Sequence, residues 1–349
     1  MKNILLIFTF IFLAGFSWRS MLGGKKAPAW VKEVRAEVQL LEKEFEGDFG
    51  IYIKDLSDQS EFSHKASQYW YLSSTVKIPV AVALLKLVDE KKIKLNERVT
   101  ITKADYRDGA GPVNWIVPGQ KVTYRYLLNK MLRYSDNAAT DLIIKRVGLN
   151  AVNELVSLHT GGQGFGPITT LLDVRKKAYS EFHPDAEKLN NMAYFRIKKK
   201  RGARLKQLAK ELKIPKEKLK YQDISEGFDQ YYNKNWNSAF LTSYASFYEK
   251  IIRRKILSPG STKLLMGLLA TLRTGKKRTI HGLSKDIVFA HKTGTQHRQA
   301  CDMGVASKKS KESKKAVMIL VCTKKWKQLA KAEALMARVG QIVTKAKLL

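Results

Sequence analysis

Ser74-Thr75-Val76-Lys77-Ile78-Pro79-Val80-Ala81-Val82-Ala83-Leu84-Leu85-Lys86-Leu87-Val88 is almost continuously apolar apart from two lysines. Such a run fits a helix buried on most sides inside a domain. Ser74 opens it, and Lys77 follows three residues later, on the same face one turn on. A neutral or hydrogen-bonded amine there takes the serine proton, and the helix N-terminus favours the negative charge that develops. Ser74 is the only serine in the chain with lysine at the third position after it. A helix cap followed by a surface lysine fits poorly, because the neighbours are apolar and Lys77 would be buried.

Outward from this run the pattern changes. Upstream, Val31, Val34, Val38, Leu41 and Phe45 recur at three and four residues and predict an amphipathic helix. Phe49, Ile51 and Ile53 then alternate with other residues and predict a strand, with a weaker one around Glu61 to Ala66. Near the other end, Ile287 to Ala290, Asp302 to Ala306 and Ala316 to Val321 read as three more strands, and a closing helix begins near Lys325. Strands at both ends with helices between them predict an α/β chain of the α+β type: an antiparallel sheet formed from both termini, flanked by helices, with an all-helical lobe inserted. The 349 residues, 44% of them hydrophobic, can bury the core this needs.

Two further motifs carry chemistry. Ser135-Asp136-Asn137 is a short polar turn between the apolar stretches Leu127-Leu128-Met131-Leu132 and Ala138-Ala139-Leu142-Ile143. Such a triplet is also a common cap composition. Lys292-Thr293-Gly294-Thr295 directly follows the strand ending at Ala290, where glycine lets a substrate approach the strand edge. Arg273-Thr274-Gly275 looks similar but follows a helix-like segment, and it is set aside as a decoy.

S-x-x-K, S-D-N and K-T-G in this order resemble the penicillin-recognising serine hydrolases, class A β-lactamases in particular. The likeness extends from Gly109-Ala110-Gly111 through Pro118-Gly119 to Asn137-Ala138-Ala139-Thr140, and from Thr274 to Thr295. It implies a catalytic domain over residues 30–345, interrupted by a basic, helical insertion at 175–235. By the resemblance Ser74 is the acylated nucleophile, Lys77 a proton acceptor, and Ser135 a shuttle to the leaving nitrogen. Asn137 would hold the substrate amide, Lys292 and Thr293 the substrate carboxylate, and the amides of Ser74 and Thr295 the oxyanion. Arg278 stands where some class A enzymes keep an arginine that assists carboxylate binding; a plain surface arginine is an equal alternative. The family's E-x-x-L-N loop is missing. Glu226 is favoured over Glu187 as the water-activating carboxylate, and without either the acyl-enzyme would be long-lived. The expected activity is β-lactam hydrolysis without metal or cofactor, the alternatives being a peptidoglycan D,D-peptidase and a non-catalytic wall-binding protein on the same scaffold.

Several other chemistries are excluded. No G-x-S-x-G, H-E-x-x-H or G-x-x-x-x-G-K string occurs, and two cysteines cannot make a Cys-based zinc site. Cys301 and Cys322 fall on neighbouring predicted strands, so a bridge and two free thiols both stay open. His281 and His291 lie near the third motif, with a structural role expected. The chain carries 64 Lys+Arg against 31 Asp+Glu, and twelve of these cations face two anions within residues 196–220. That segment is expected to be solvated, with an anionic wall polymer or membrane surface as its candidate partner; nucleic acid is not expected, nor is a second copy of the chain. Lys2 precedes the apolar run Ile4 to Phe16, which reads as a signal peptide over residues 1–17 and predicts export to the periplasm or exterior, with membrane anchoring if the segment is not cleaved.

Overall fold

The computed structural model describes residues 28–109, 111–310 and 315–349, so the apolar segment at 1–17 lies outside the described residues. Five strands form the central sheet: β1 (Asp48–Asp55), β2 (Glu61–His64), β3 (Ile287–Gln296), β4 (Gln299–Lys308) and β5 (Ala316–Lys324). Their order is β2-β1-β5-β4-β3 and every pairing is antiparallel. The N-terminal strand thus lies beside the C-terminal one, with Ile53 opposite Ile319.

The sheet is covered on both faces, which is why β5 reads as an unbroken apolar run. Val317, Ile319 and Val321 meet Val34, Val38, Leu335 and Val339 of the helices Ala29–Glu44 and Leu329–Lys345. Met318, Leu320 and Cys322 point into the other layer, with the helix Lys77–Asp89 at its centre. Nine consecutive residues of that helix, Lys77 to Leu85, are buried. Pro79 is tolerated because it falls in the first turn, where no intrahelical N–H partner is lost.

Helices also occupy the basic segment and its flanks: Leu171–Ser180, Asn191–Lys199, Arg204–Leu212 and Ile224–Asn233. They share a small aromatic core of Tyr179, Phe182, Tyr194, Phe228 and Tyr231, joined by Tyr71 from the body of the protein. In the helix Arg204–Leu212, Leu205 and Leu208 are buried. Lys206, Lys210, Lys213, Lys216, Lys218 and Lys220 are left in solvent.

Two expectations change and one open alternative is decided. Strand β3 does not end at Ala290 but runs to Gln296 and carries the third motif within it, in register with β4 throughout. The closing helix starts at Leu329, because Lys325 takes a left-handed φ of 60° and turns the chain first. Cys301 and Cys322, directly opposed on β4 and β5, form a disulfide, which decides between the two thiol states left open.

Candidate active site

Ser74 lies in a turn of 3-10 helix, Ser73–Val76, that feeds into the helix Lys77–Asp89. Ser73 holds a left-handed φ of 50°, a conformation that non-glycine residues seldom adopt and that recurs at functional sites. The turn is held by Thr75, whose hydroxyl donates to the Leu72 carbonyl at 2.8 Å, and by Tyr244, whose hydroxyl donates to the Thr75 carbonyl at 3.0 Å. Behind it stands Gly294. A methyl group there would sit 2.4 Å from the Leu72 carbonyl oxygen and 3.0 Å from the Ser74 nitrogen. The glycine of the third motif therefore admits the backbone of the Ser74 turn.

Lys77 is fully buried, and its Nζ has four oxygen neighbours: the Ser135 carbonyl at 2.7 Å, Asn137 Oδ1 at 2.8 Å, Ser74 Oγ at 3.0 Å and Ser135 Oγ at 3.2 Å. The two nearest are carbonyls and can only accept. A neutral amine has two N–H groups for them and a lone pair left for a serine hydroxyl. Burial favours that form and brings the Lys77 pKa down to about 7, against the pull of Asp136 and Asp141. Lys292, also fully buried, donates to Ser135 Oγ at 3.0 Å and to the Thr293 carbonyl at 3.0 Å. Its pKa is pushed well down by burial and by the nearby charges of Lys77 and Arg278. Ser74, Lys77, Ser135 and Lys292 thus form one unbroken chain of contacts.

The second motif is fixed by its middle residue. Asp136 is buried, accepts the amides of Ala139 and Val113 at 2.8 Å each, and caps the helix Asn137–Val147. Ser135, at φ 60°, is thereby turned toward the lysines. Asn137 gives its Oδ1 to Lys77 and its Nδ2 to the Asp108 carbonyl at 2.7 Å.

The cavity beside Ser74 is lined by Asn137, Leu171, Val174, Arg175, Asn237, Thr295 and Gln296, among others. Lys292 and Thr293 do not line it. The Thr293 hydroxyl instead shares a 2.6 Å hydrogen bond with that of Thr274. The Arg-Thr-Gly string set aside as a decoy therefore packs on the third motif. Its signal in the sequence was Gly275, whose positive φ of 73° lets the loop close over Thr293.

Arg278 is neither a surface residue nor open to the cavity. Buried, it donates to the carbonyls of Gly294 and Cys301 at 2.9 and 3.0 Å and to Thr295 Oγ1 at 2.6 Å, with Glu333 at 3.2 Å from its Nε. It braces β3 and aims Thr295. Glu226, expected from the sequence to activate water, is exposed and does not line the Ser74 cavity. Its helix buries Gly227, Phe228 and Tyr231, and that register points position 226 outward. Glu187 is exposed as well. No carboxylate lines the Ser74 cavity among the described residues; Arg175 does, and no motif announced it. His291 is buried in a 2.6 Å contact with Asp302 and takes no part.

A family model described as the β-lactamase enzyme family matches residues 33–164 and 191–346. The chain belongs to this family of serine hydrolases. Among curated relatives, the β-lactamase SME-1 of Serratia marcescens is 28% identical over 110 residues, 32% of this chain and 37% of that protein. A β-lactamase of Bacillus licheniformis is 29% identical over 145 residues, 41% of this chain and 46% of that one. The chain thus spans less than half the length of these relatives. Two solved structures share the fold over nearly the whole chain. PBP-A superposes with a TM-score of 0.67 at 20% identity, covering 90% of this chain and 96% of its own. A β-lactamase from Sphaerobacter thermophilus gives 0.67 at 19%, covering 91% and 98%. A mutant of PBP-A is recorded as an acyl-enzyme complex with penicillin G.

Proposed function

We propose that this chain opens the β-lactam ring through an acyl-enzyme on Ser74 and discharges that acyl-enzyme slowly. The observation that carries the reading is the Ser74–Lys77–Ser135–Lys292 chain of contacts beside a cavity whose wall, among the described residues, holds no carboxylate. Ser74 Oγ attacks the lactam carbonyl as Lys77 takes its proton. The proton passes to Ser135 Oγ and on to the ring nitrogen, so the C–N bond breaks as the ester forms. Amides of Ser74 and Thr295 placed at the oxyanion would supply roughly 3–4 kcal/mol per donor. Lys77 is then the group left to activate water, and without a partner carboxylate that step is the slow one.

The missing carboxylate favours one second reading: a D,D-peptidase whose natural acyl donor is a peptidoglycan stem peptide and which β-lactams trap. The apolar Ile4–Phe16 run supports export, and the Cys301–Cys322 bridge suits an oxidising compartment. The exposed lysines of residues 206–220 support attraction to an anionic wall polymer or membrane surface. Incubation with a chromogenic cephalosporin and, separately, with a fluorescent penicillin tests the reading. A persistent fluorescent adduct with slow colour development is expected; neither label nor colour would overturn it.

A further inference from the structure

The family model leaves residues 165–190 unmatched, and this stretch supplies Leu171, Val174 and Arg175 to the Ser74 cavity. Arg175 is 8% exposed. Its Nε–H is shared between the two carboxylate oxygens of Asp108, at 2.8 and 2.9 Å. That contact uses one N–H of five. Among the described residues, no hydrogen bond is made by the four N–H groups on its terminal nitrogens, in a residue that lines the cavity beside Ser74 and Asn137. Burial opposes the charge, but Asp108 more than offsets it and keeps the guanidinium protonated. Lys198 Nζ lies 3.9 Å from the same carboxylate.

The cavity includes Asn137 but neither Ser135 nor Lys292, so it lies away from the proton route to the leaving nitrogen. It is therefore the place for the acyl part of a substrate. A buried guanidinium with spare N–H groups matches the planar, two-oxygen geometry of a carboxylate. We propose that Arg175 is a specificity-determining residue that receives a carboxylate on the acyl side of the scissile bond, which makes the preferred acyl donor an anionic peptide or β-lactam. The inference rests on acylation at Ser74 as read above.

The test compares benzylpenicillin with its α-carboxy derivative, which adds one carboxylate to the acyl side chain. Second-order acylation constants are measured by intact mass on the full protein. The wild type is expected to favour the carboxylated compound by about tenfold or more, the worth of a charge-assisted hydrogen bond in a buried site. Asp108→Asn/Arg175→Gln, which removes both charges together, is expected to collapse that ratio, and Arg175→Lys to retain part of it. Equal reaction of both compounds with the wild type overturns the inference while leaving Ser74 acylation standing, and needs no variant to fold. A ratio unchanged in a folded double variant overturns it too. Absence of any adduct with either compound overturns the acyl-enzyme reading itself.

Discussion

In the proposed acylation Lys77 is the residue on which the chemistry turns, because its amine must be neutral to accept the Ser74 proton. Burial sets its pKa at about 7, below the ordinary lysine value. The sign follows directly: below that pH the amine is charged and cannot accept, and above it the lone pair is available. The acylation rate should therefore rise with pH through about 7, measured by stopped-flow burst amplitudes with a chromogenic cephalosporin. A rate independent of pH across that range would remove Lys77 as the base. Glu226 gives the opposite expectation. Exposed and remote from the cavity, Glu226→Gln should leave turnover within about twofold of the parent, as surface changes usually shift stability by no more than roughly 0.5 kcal/mol. The Ser74–Lys77 pair was legible because the two spacings, three residues and one helical turn, coincide. The outward direction of Glu226 was not, since it depends on Gly227 packing against the ring of Phe182, a contact 45 residues apart in sequence.

At the scale of elements, the site depends on how closely β3 approaches the nucleophile turn. Gly294→Ala would place a methyl group 2.4 Å from the Leu72 carbonyl oxygen, where backbone and not a flexible side chain must move. Overpacking of this kind costs about 1–3 kcal/mol, and here it displaces Ser74 directly. The variant should unfold at a lower temperature and lose most acylation, read together by calorimetry and intact mass; full activity would show that the contact is not structural. The strands themselves were legible from alternation and apolar runs. The extension of β3 to Gln296 was not, because Lys292 and Gly294 have poor strand character on their own and are held extended by pairing with β4 and by Arg278.

For the whole molecule, the basic helical segment is a surface facing solvent over its own aromatic core. Replacing Lys206, Lys210, Lys213 and Lys216 with Gln should weaken co-sedimentation with purified cell wall or anionic vesicles, most strongly at low salt, where the Debye length is about 30 Å at 0.01 M. These exposed lysines do not line the Ser74 cavity, so reaction with a small soluble β-lactam should not change. Equal binding by the variant would deny the segment a tethering role. The charge run of this segment was plain in the sequence. That the helix just before it, Leu171–Ser180, walls the active site with Arg175 was not, because the Asp108 contact spans 67 residues and belongs to no motif.

The central claim is a slow acyl-enzyme on Ser74, and a time course of intact mass with benzylpenicillin tests it most directly. The account predicts rapid, stoichiometric gain of one whole penicillin, loss of the adduct over many minutes, and no adduct in a folded Ser74→Ala variant, whose fold should lose only about 1 kcal/mol. An adduct that survives Ser74→Ala would contradict it, as would complete hydrolysis of the penicillin with no adduct ever accumulating.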